Sequence, residues 1–282
     1  MKRTGLGLLL LWMMVLVTLS PSVAGAQRYR TLSVEKGPSE GSHQAFLVVV
    51  KGRAEANQPF YLLRVEQPVA QVILFPGGKG NIGVSARGIA RQGNFLVRSR
   101  GLFADQGFNV AVMDVPSDRI SLQEFRNDFE HKLDIAAVIT HLNSLSPTPI
   151  WLVGTSRGTI SAAFYAGSPR PDQVPQGLVL TSSIVWPRRD RSTVHKANLV
   201  AIRMPTLVAH HRQDGCRATK FEDVPRLMKG LSQASPLELV TLEGGDPGNG
   251  KTPCNGRSHH GFLGIEPEVV SRIGEWIKAN SG

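Results

Sequence analysis

Short apolar runs recur along this chain, separated by longer stretches in which apolar positions return every three or four residues. The short runs are Arg30–Glu35, Ala45–Lys51, Phe60–Val65, Gln71–Phe75, Asn109–Asp114, Ile150–Val153, Gly177–Thr181, Thr206–His210 and Leu237–Leu242. Bounded by turn-forming residues, they predict strands. Gln71–Phe75 is almost wholly apolar, as expected of a strand covered on both faces of a parallel sheet. Helices are predicted over Asn94–Gln106, over Phe125–Leu145, after Ser156, and over Pro267–Ala279, where Val269, Val270, Ile273, Trp276 and Ile277 form one apolar stripe. Strands alternating with helices predict a mostly parallel, doubly wound α/β sheet with helices on both faces. No internal repeat, low-complexity tract or interdomain linker interrupts residues 27–282, so one domain is expected there.

The most informative stretch is Pro149–Ala163. A short apolar run ends in Gly154-Thr155-Ser156-Arg157-Gly158, and small and apolar residues resume at once. This is the order strand, sharp turn, helix. Glycines on both sides of the serine suit a turn too tight for neighbouring side chains. Ser156 would stand above the sheet at a helix N-terminus, with the Arg157 N–H available to a developing oxyanion. A serine in a glycine-rich turn can also be a helix cap and nothing more. A base, an acid and a second oxyanion donor elsewhere in the chain would separate the two.

The first residues have a different pattern. Met1-Lys2-Arg3 is followed by an apolar run from Leu6 to Leu19 and by Ala24-Gly25-Ala26. A basic start, a short apolar stretch and a small-x-small site predict a cleavable export signal, cut after Ala26, and a periplasmic or secreted destination. No later segment is apolar and long enough to span a membrane. The net charge of +10 falls to +8 without Lys2 and Arg3. The cations are mostly scattered and no nucleic-acid-binding motif is present, so nucleic acid is not expected as a partner. Cys216 and Cys254 are the only cysteines. An even count in an oxidising compartment predicts a Cys216–Cys254 disulfide.

A serine nucleophile needs a base, usually histidine, oriented by a carboxylate. In open α/β sheets these groups come from loops at the carboxyl ends of strands. Asp214 follows Thr206–His210, and His260 follows the last strand in Ser258-His259-His260-Gly261-Phe262. His259 competes for the base, and Asp246, then Asp114 and Asp118, for the acid. The order Ser156, Asp214, His260 together with the elbow resembles the α/β-hydrolase superfamily, from about Gln71 to the last helix. That resemblance implies Ser156 as nucleophile, His260 as general base and acid, and Asp214 as orienting carboxylate. It also places the oxyanion hole in the loop after Phe75, where Pro76-Gly77-Gly78 stands in place of the family's usual His-Gly. The Gly78 N–H is assigned as donor beside Arg157, with Gly77 and Lys79 as contenders. No cofactor and no metal are expected. His210 and His211 are adjacent, but neighbours on a strand point to opposite faces, which suits joint ligation poorly.

Gly245-Asp246-Pro247-Gly248-Asn249-Gly250-Lys251-Thr252 matches the phosphate-loop pattern letter for letter. Such a loop must open a helix, and the following Pro253-Cys254-Asn255-Gly256 cannot start one well, so nucleotide binding is not expected. A short lid is expected over Ser182–Met204. There Trp186, Arg188, Arg189 and Arg191 suit either an acidic or aromatic substrate portion or a solvated surface. The expected activity is cleavage of a small-molecule or polymeric carboxylic ester. A serine peptidase of the same fold and a non-catalytic binding protein are the alternatives.

Overall fold

The computed structural model describes residues 29–187 and 192–282. The expected export signal and the arginines at 188, 189 and 191 lie outside the described residues. Nine strands form one sheet: β1 (Thr31–Lys36), β2 (Gln44–Arg53), β3 (Ala56–Arg64), β4 (Ala70–Phe75), then β7 (Phe108–Met113), β8 (Ile150–Thr155), β9 (Gly177–Thr181), β10 (Thr206–His211) and β11 (Leu237–Leu242). A two-stranded hairpin, β5 (Val84–Ser85) with β6 (Gly88–Ile89), sits in the loop after β4. The sheet order is β1-β2-β3-β7-β4-β8-β9-β10-β11. The pairs from β1 to β7 are antiparallel, and those from β7 to β11 are parallel. Chain order reverses around β4, and such a switch point opens a crevice at the carboxyl ends of the strands.

The apolar strands are buried on both faces because successive side chains point to opposite sides. Ile73, Leu152 and Val208 join one core with α3 (Phe129–Leu145), α4 (Gly158–Ala166) and α5 (Val224–Gly230). Val72, Val153 and Leu207 join the other with α1 (Phe95–Arg98), α2 (Arg100–Asp105) and α6 (Glu266–Ala279). On α6 the predicted stripe is the buried face, with Trp276 edge-on to Trp151 at 5.3 Å. Register aligns the site-bearing ends. Phe75 of β4 pairs with Gly154, Thr155 with Thr181, and Thr181 with Ala209.

Four elements differ from the sequence expectation. The helix expected over Asn94–Gln106 breaks at Ser99 into α1 and α2, with Asn94 capping the first through Oδ1 to the Leu96 N–H. The helix expected from Phe125 begins at Phe129. Asp128 caps it by accepting from the Glu130 N–H, while Phe125 turns back to pack with Val115 and Leu122. β3 begins at Ala56, so it runs through Pro59, which has no N–H for a ladder. The Gln58 amide donates to both Pro59 O and Asp114 O and ties the strands there. Helix α5, between β10 and β11, has no counterpart among the predicted helices.

Candidate active site

The elbow after β8 is shaped by close contact. A Cβ at Gly158 would lie 1.8 Å from the Phe75 carbonyl oxygen, and one at Gly154 would lie 2.7 Å from the Gly158 carbonyl oxygen. Only glycine fits at either position. Between them Ser156 adopts φ +52°, a left-handed conformation costing on the order of 1–3 kcal/mol for a residue with a side chain. Its N–H donates to Thr181 O at 3.0 Å and its carbonyl accepts from the Thr159 N–H at 3.1 Å. The strain is therefore held from β9 and from the first turn of α4.

The loop after β4 comes up beside it. A Cβ on Gly77 would be 2.9 Å from Ser156 Cβ, so Gly77 lies directly against the nucleophile candidate. Two buried groups fix the loop. Arg126 donates to Pro76 O and Gly78 O from Nη2, at 2.9 and 3.4 Å, and to Ser161 Oγ from Nη1. The Asp114 carboxylate accepts the N–H groups of Ile82, Val84 and Val115, each at 2.8 Å. Asp114 and Asp118 thus serve the scaffold, since Asp118 pairs with Arg53. The N–H groups of Gly77 and Gly78 have no hydrogen-bond acceptor among the described residues, and both glycines line the cleft in front of Ser156.

His260 stands in a short 3-10 turn (His259–Gly261) capped by Ser258. Arg98 donates to Gly261 O, and the Ser182 hydroxyl donates to His260 O at 2.8 Å. Phe262, at φ +58° and fully buried, packs edge-on to Phe95 at 4.9 Å. The His260 ring meets Asp214, with Nδ1 to Oδ2 at 2.9 Å and both side chains nearly inaccessible. Nδ1 facing a carboxylate carries the proton, which leaves Nε2 as the basic nitrogen.

Asp214 is held by further donors. The Cys216 N–H donates to Oδ1 at 2.9 Å and the Thr219 hydroxyl to Oδ2 at 2.8 Å; the Thr219 oxygen also lies 3.1 Å from His260 Nδ1. Burial works to raise the Asp214 carboxyl, but the His260 and His210 rings and the Cys216 N–H outweigh it and hold the group below its usual range. The Cys216–Cys254 disulfide joins this loop to the one leading to His260, with Cα atoms 4.6 Å apart.

The other candidates fall elsewhere. His259 stacks on His211 at 4.2 Å, half-buried, away from Asp214. His211 donates from Nε2 to Gly244 O, and His210 from Nε2 to Thr219 O, so both are consumed in holding loops. Asp246 is exposed and accepts the Gly248 N–H. Lys251 sits in a turn held by Asn249, with no helix following, so the phosphate-loop geometry is absent. Trp186 donates to Asp223 beside α5. Among the described residues no group of three or more His, Cys, Asp and Glu is placed to hold a metal, and no helix is long and apolar enough to cross a membrane.

Ser156 and His260 line one cleft of about 200 Å³, with Gly77, Gly78, Asn94 and Asn255 around them. Among the described residues no hydrogen bond joins the Ser156 hydroxyl to His260; such bonds often tighten only when substrate is bound. Thr219 and Asn94 are the residues that sequence reasoning missed. Asn94 spends Oδ1 on its helix cap, while its NH₂ has no partner among the described residues and lies 3.2 Å from where a Gly77 Cβ would be. Its only sequence signal is the cap position, which carries no chemistry.

Sheet order, elbow and the loops at the strand ends define the α/β-hydrolase fold. Solved structures share it. A cold-adapted esterase from an Arctic intertidal metagenomic library matches with TM-score 0.61 at 13% identity, over 89% of this chain and 100% of that one. A dienelactone hydrolase from Anabaena variabilis matches with TM-score 0.57 at 15% identity, over 85% and 99%. A Pyrococcus furiosus esterase matches with TM-score 0.54 at 16% identity, over 90% and 93%. No family model matches the chain, and no curated protein matches its sequence.

Proposed function

We propose that the protein is an exported serine hydrolase that cleaves a carboxylic ester through an acyl-enzyme. The carrying observation is a strained serine at the elbow that shares a cleft with a histidine whose Nδ1 is bonded to a buried aspartate. Ser156 Oγ attacks the ester carbonyl while His260 Nε2 takes its proton. Asp214 holds the ring and stabilises the imidazolium that forms. The carbonyl oxygen becomes an oxyanion facing the N–H groups of Gly78 and Arg157, and Gly77 is the alternative donor on the first side. Preorganised donors of this kind stabilise the transition state more than the ground state. The Asn94 NH₂ stands beside the same hollow and supplies a third donor. Collapse breaks the ester C–O bond, and the imidazolium returns its proton to the departing alcohol. Water, deprotonated by His260, then releases the acid and restores Ser156.

Likeness of fold to esterases and to a dienelactone hydrolase supports this class of chemistry. Export rests on the amino-terminal pattern, and the disulfide agrees with an oxidising compartment. A panel of p-nitrophenyl esters set against aminoacyl p-nitroanilides tests the substrate class. Ester turnover that requires Ser156 supports the proposal. Preferential amide cleavage would make the protein a peptidase.

A further inference from the structure

A second hollow, of about 560 Å³, opens beside the nucleophile cleft. It is lined by Gly215 and Arg217 from the loop after β10 and by Lys251, Thr252, Cys254 and Asn255 from the loop after β11. Cys254 and Asn255 line both hollows, so the two adjoin. The cleft at Ser156 is small for a whole organic substrate, while the adjoining space falls in the range that ligand sites use.

Its charge is one-sided. No carboxylate lines it, and neither Arg217 nor Lys251 meets an acidic partner among the described residues. Other cations near the site do find partners: Arg98 pairs with Glu266 and Arg212 with Glu243. Asn255 adds a neutral donor, because its Oδ1 accepts the Arg257 N–H and its NH₂ has no partner among the described residues. The disulfide joins the two walls, tying the residue beside Arg217 to the segment that carries Lys251. The Gly-Lys-Thr letters at 250–252 thus stand in a turn on the wall of an anion-attracting hollow.

We infer that this hollow receives an anionic oxygen group, carboxylate or phosphate, carried on the leaving-group side of the substrate. The side follows from the loop that forms it. That loop leads into His260, the residue that returns a proton to the leaving group in the ester-hydrolase reading on which this inference rests. With the ester carbonyl at Gly77 and Gly78, the departing alcohol extends past Cys254 and Asn255 toward Arg217 and Lys251. Arg217 offers a planar fork of donors and Lys251 a compact charge, a pair suited to an oxyacid.

Binding is measured calorimetrically on Ser156→Ala protein in low salt, with 4-acetoxybenzoate and 4-acetoxyphenyl phosphate as probes and methyl 4-acetoxybenzoate as the neutral control. The expected result is that at least one anion binds about tenfold more tightly than the neutral ester. That preference collapses in the Arg217→Ala/Lys251→Ala background and in high salt, and survives in Arg217→Lys. Which of the two anions wins identifies the oxyacid. Equal binding of all three probes, or a preference that survives loss of both cations, overturns the inference. Turnover of the same probes by the parent tests the ester-hydrolase reading separately. If none is hydrolysed that reading fails, while the binding ratio still decides the hollow.

Discussion

Two of the buried aspartates, Asp134 and Asp214, are put to opposite uses by their surroundings. Asp134, on α3, faces Arg53 at the end of β2, with Nε 3.0 Å from Oδ1. The same guanidinium also holds Asp118 and Glu130, and both it and that of Arg119 lie over the Phe125 ring. Arg119 reaches only Asp118 and Glu130, each at 3.8 Å, so Asp134, the deepest of the three, has Arg53 alone and is left under-compensated. Burial pushes Asp134 up to about 6 against the pull of Arg53. Asp214 accepts from a histidine, a hydroxyl and a backbone N–H instead, and is held below the usual carboxylate range. Both side chains are inaccessible to solvent, so the difference lies in the partners. A guanidinium cannot release a proton near neutrality, so the Arg53 cluster can only fasten β2 to α3. An imidazole can, so the same kind of ion pair at Asp214 can drive proton transfer.

Removing each charge in turn should separate the two. Asp214→Asn is expected to cut kcat by about 10³–10⁴-fold, since the ring loses its orienting charge and tautomer, while Asp134→Asn leaves kcat within severalfold. Comparable losses in both would erase the distinction. Arg53→Met should destabilise the fold by about 3–5 kcal/mol in denaturant unfolding, because three carboxylates lose their shared cation, two of them partly exposed and one buried. Thr219→Val keeps the shape and removes the hydroxyl from Asp214. A loss of about 10–100-fold in kcat, with an altered acid limb of the pH profile and little change in Tm, is expected. Asn94→Ser touches neither corner and preserves a helix cap while removing the NH₂ without adding charge. About tenfold in kcat at unchanged stability is expected.

The two corners also differ in pH dependence, and with opposite sign. With Asp134 raised, the folded chain holds a proton that the unfolded chain has lost between about pH 4 and 6. Its contribution to stability therefore declines as pH rises through that window, by about 3 kcal/mol. With Asp214 lowered, its contribution is present above about pH 4 and is lost as pH falls through its folded value. Unfolding curves from pH 3 to 8 should flatten across pH 4–6 in Asp134→Asn and below pH 4 in Asp214→Asn. A parallel offset at all pH values would contradict both assignments.

What could be read from the chain follows the same division. Ser156, Asp214 and His260 were legible because each stands after its own apolar strand, and the elbow glycines announce a contact that no side chain tolerates. The disulfide was legible from the cysteine count taken with the expected export. Thr219 was not, because its role depends on a turn that brings it to Asp214 and on a histidine 41 residues away. Arg53 reaches partners 65 to 81 residues on, and nothing near it in sequence signals a cluster. The expected helix starting at Phe125 failed for a local reason that the letters do contain. Asp128 is the better cap, and it wins once Phe125 has a pocket to fill.

The proposed role of the Asp214-bonded histidine is to activate Ser156. Its most direct test is labelling with a fluorophosphonate, followed by peptide mapping and thermal denaturation of the same samples. A single adduct on Ser156 is expected, absent in Ser156→Ala and slowed at least about 10³-fold in His260→Ala, while His259→Ala labels at nearly the parent rate and all variants stay folded. An adduct on another residue, or parent-like labelling of His260→Ala, would contradict it.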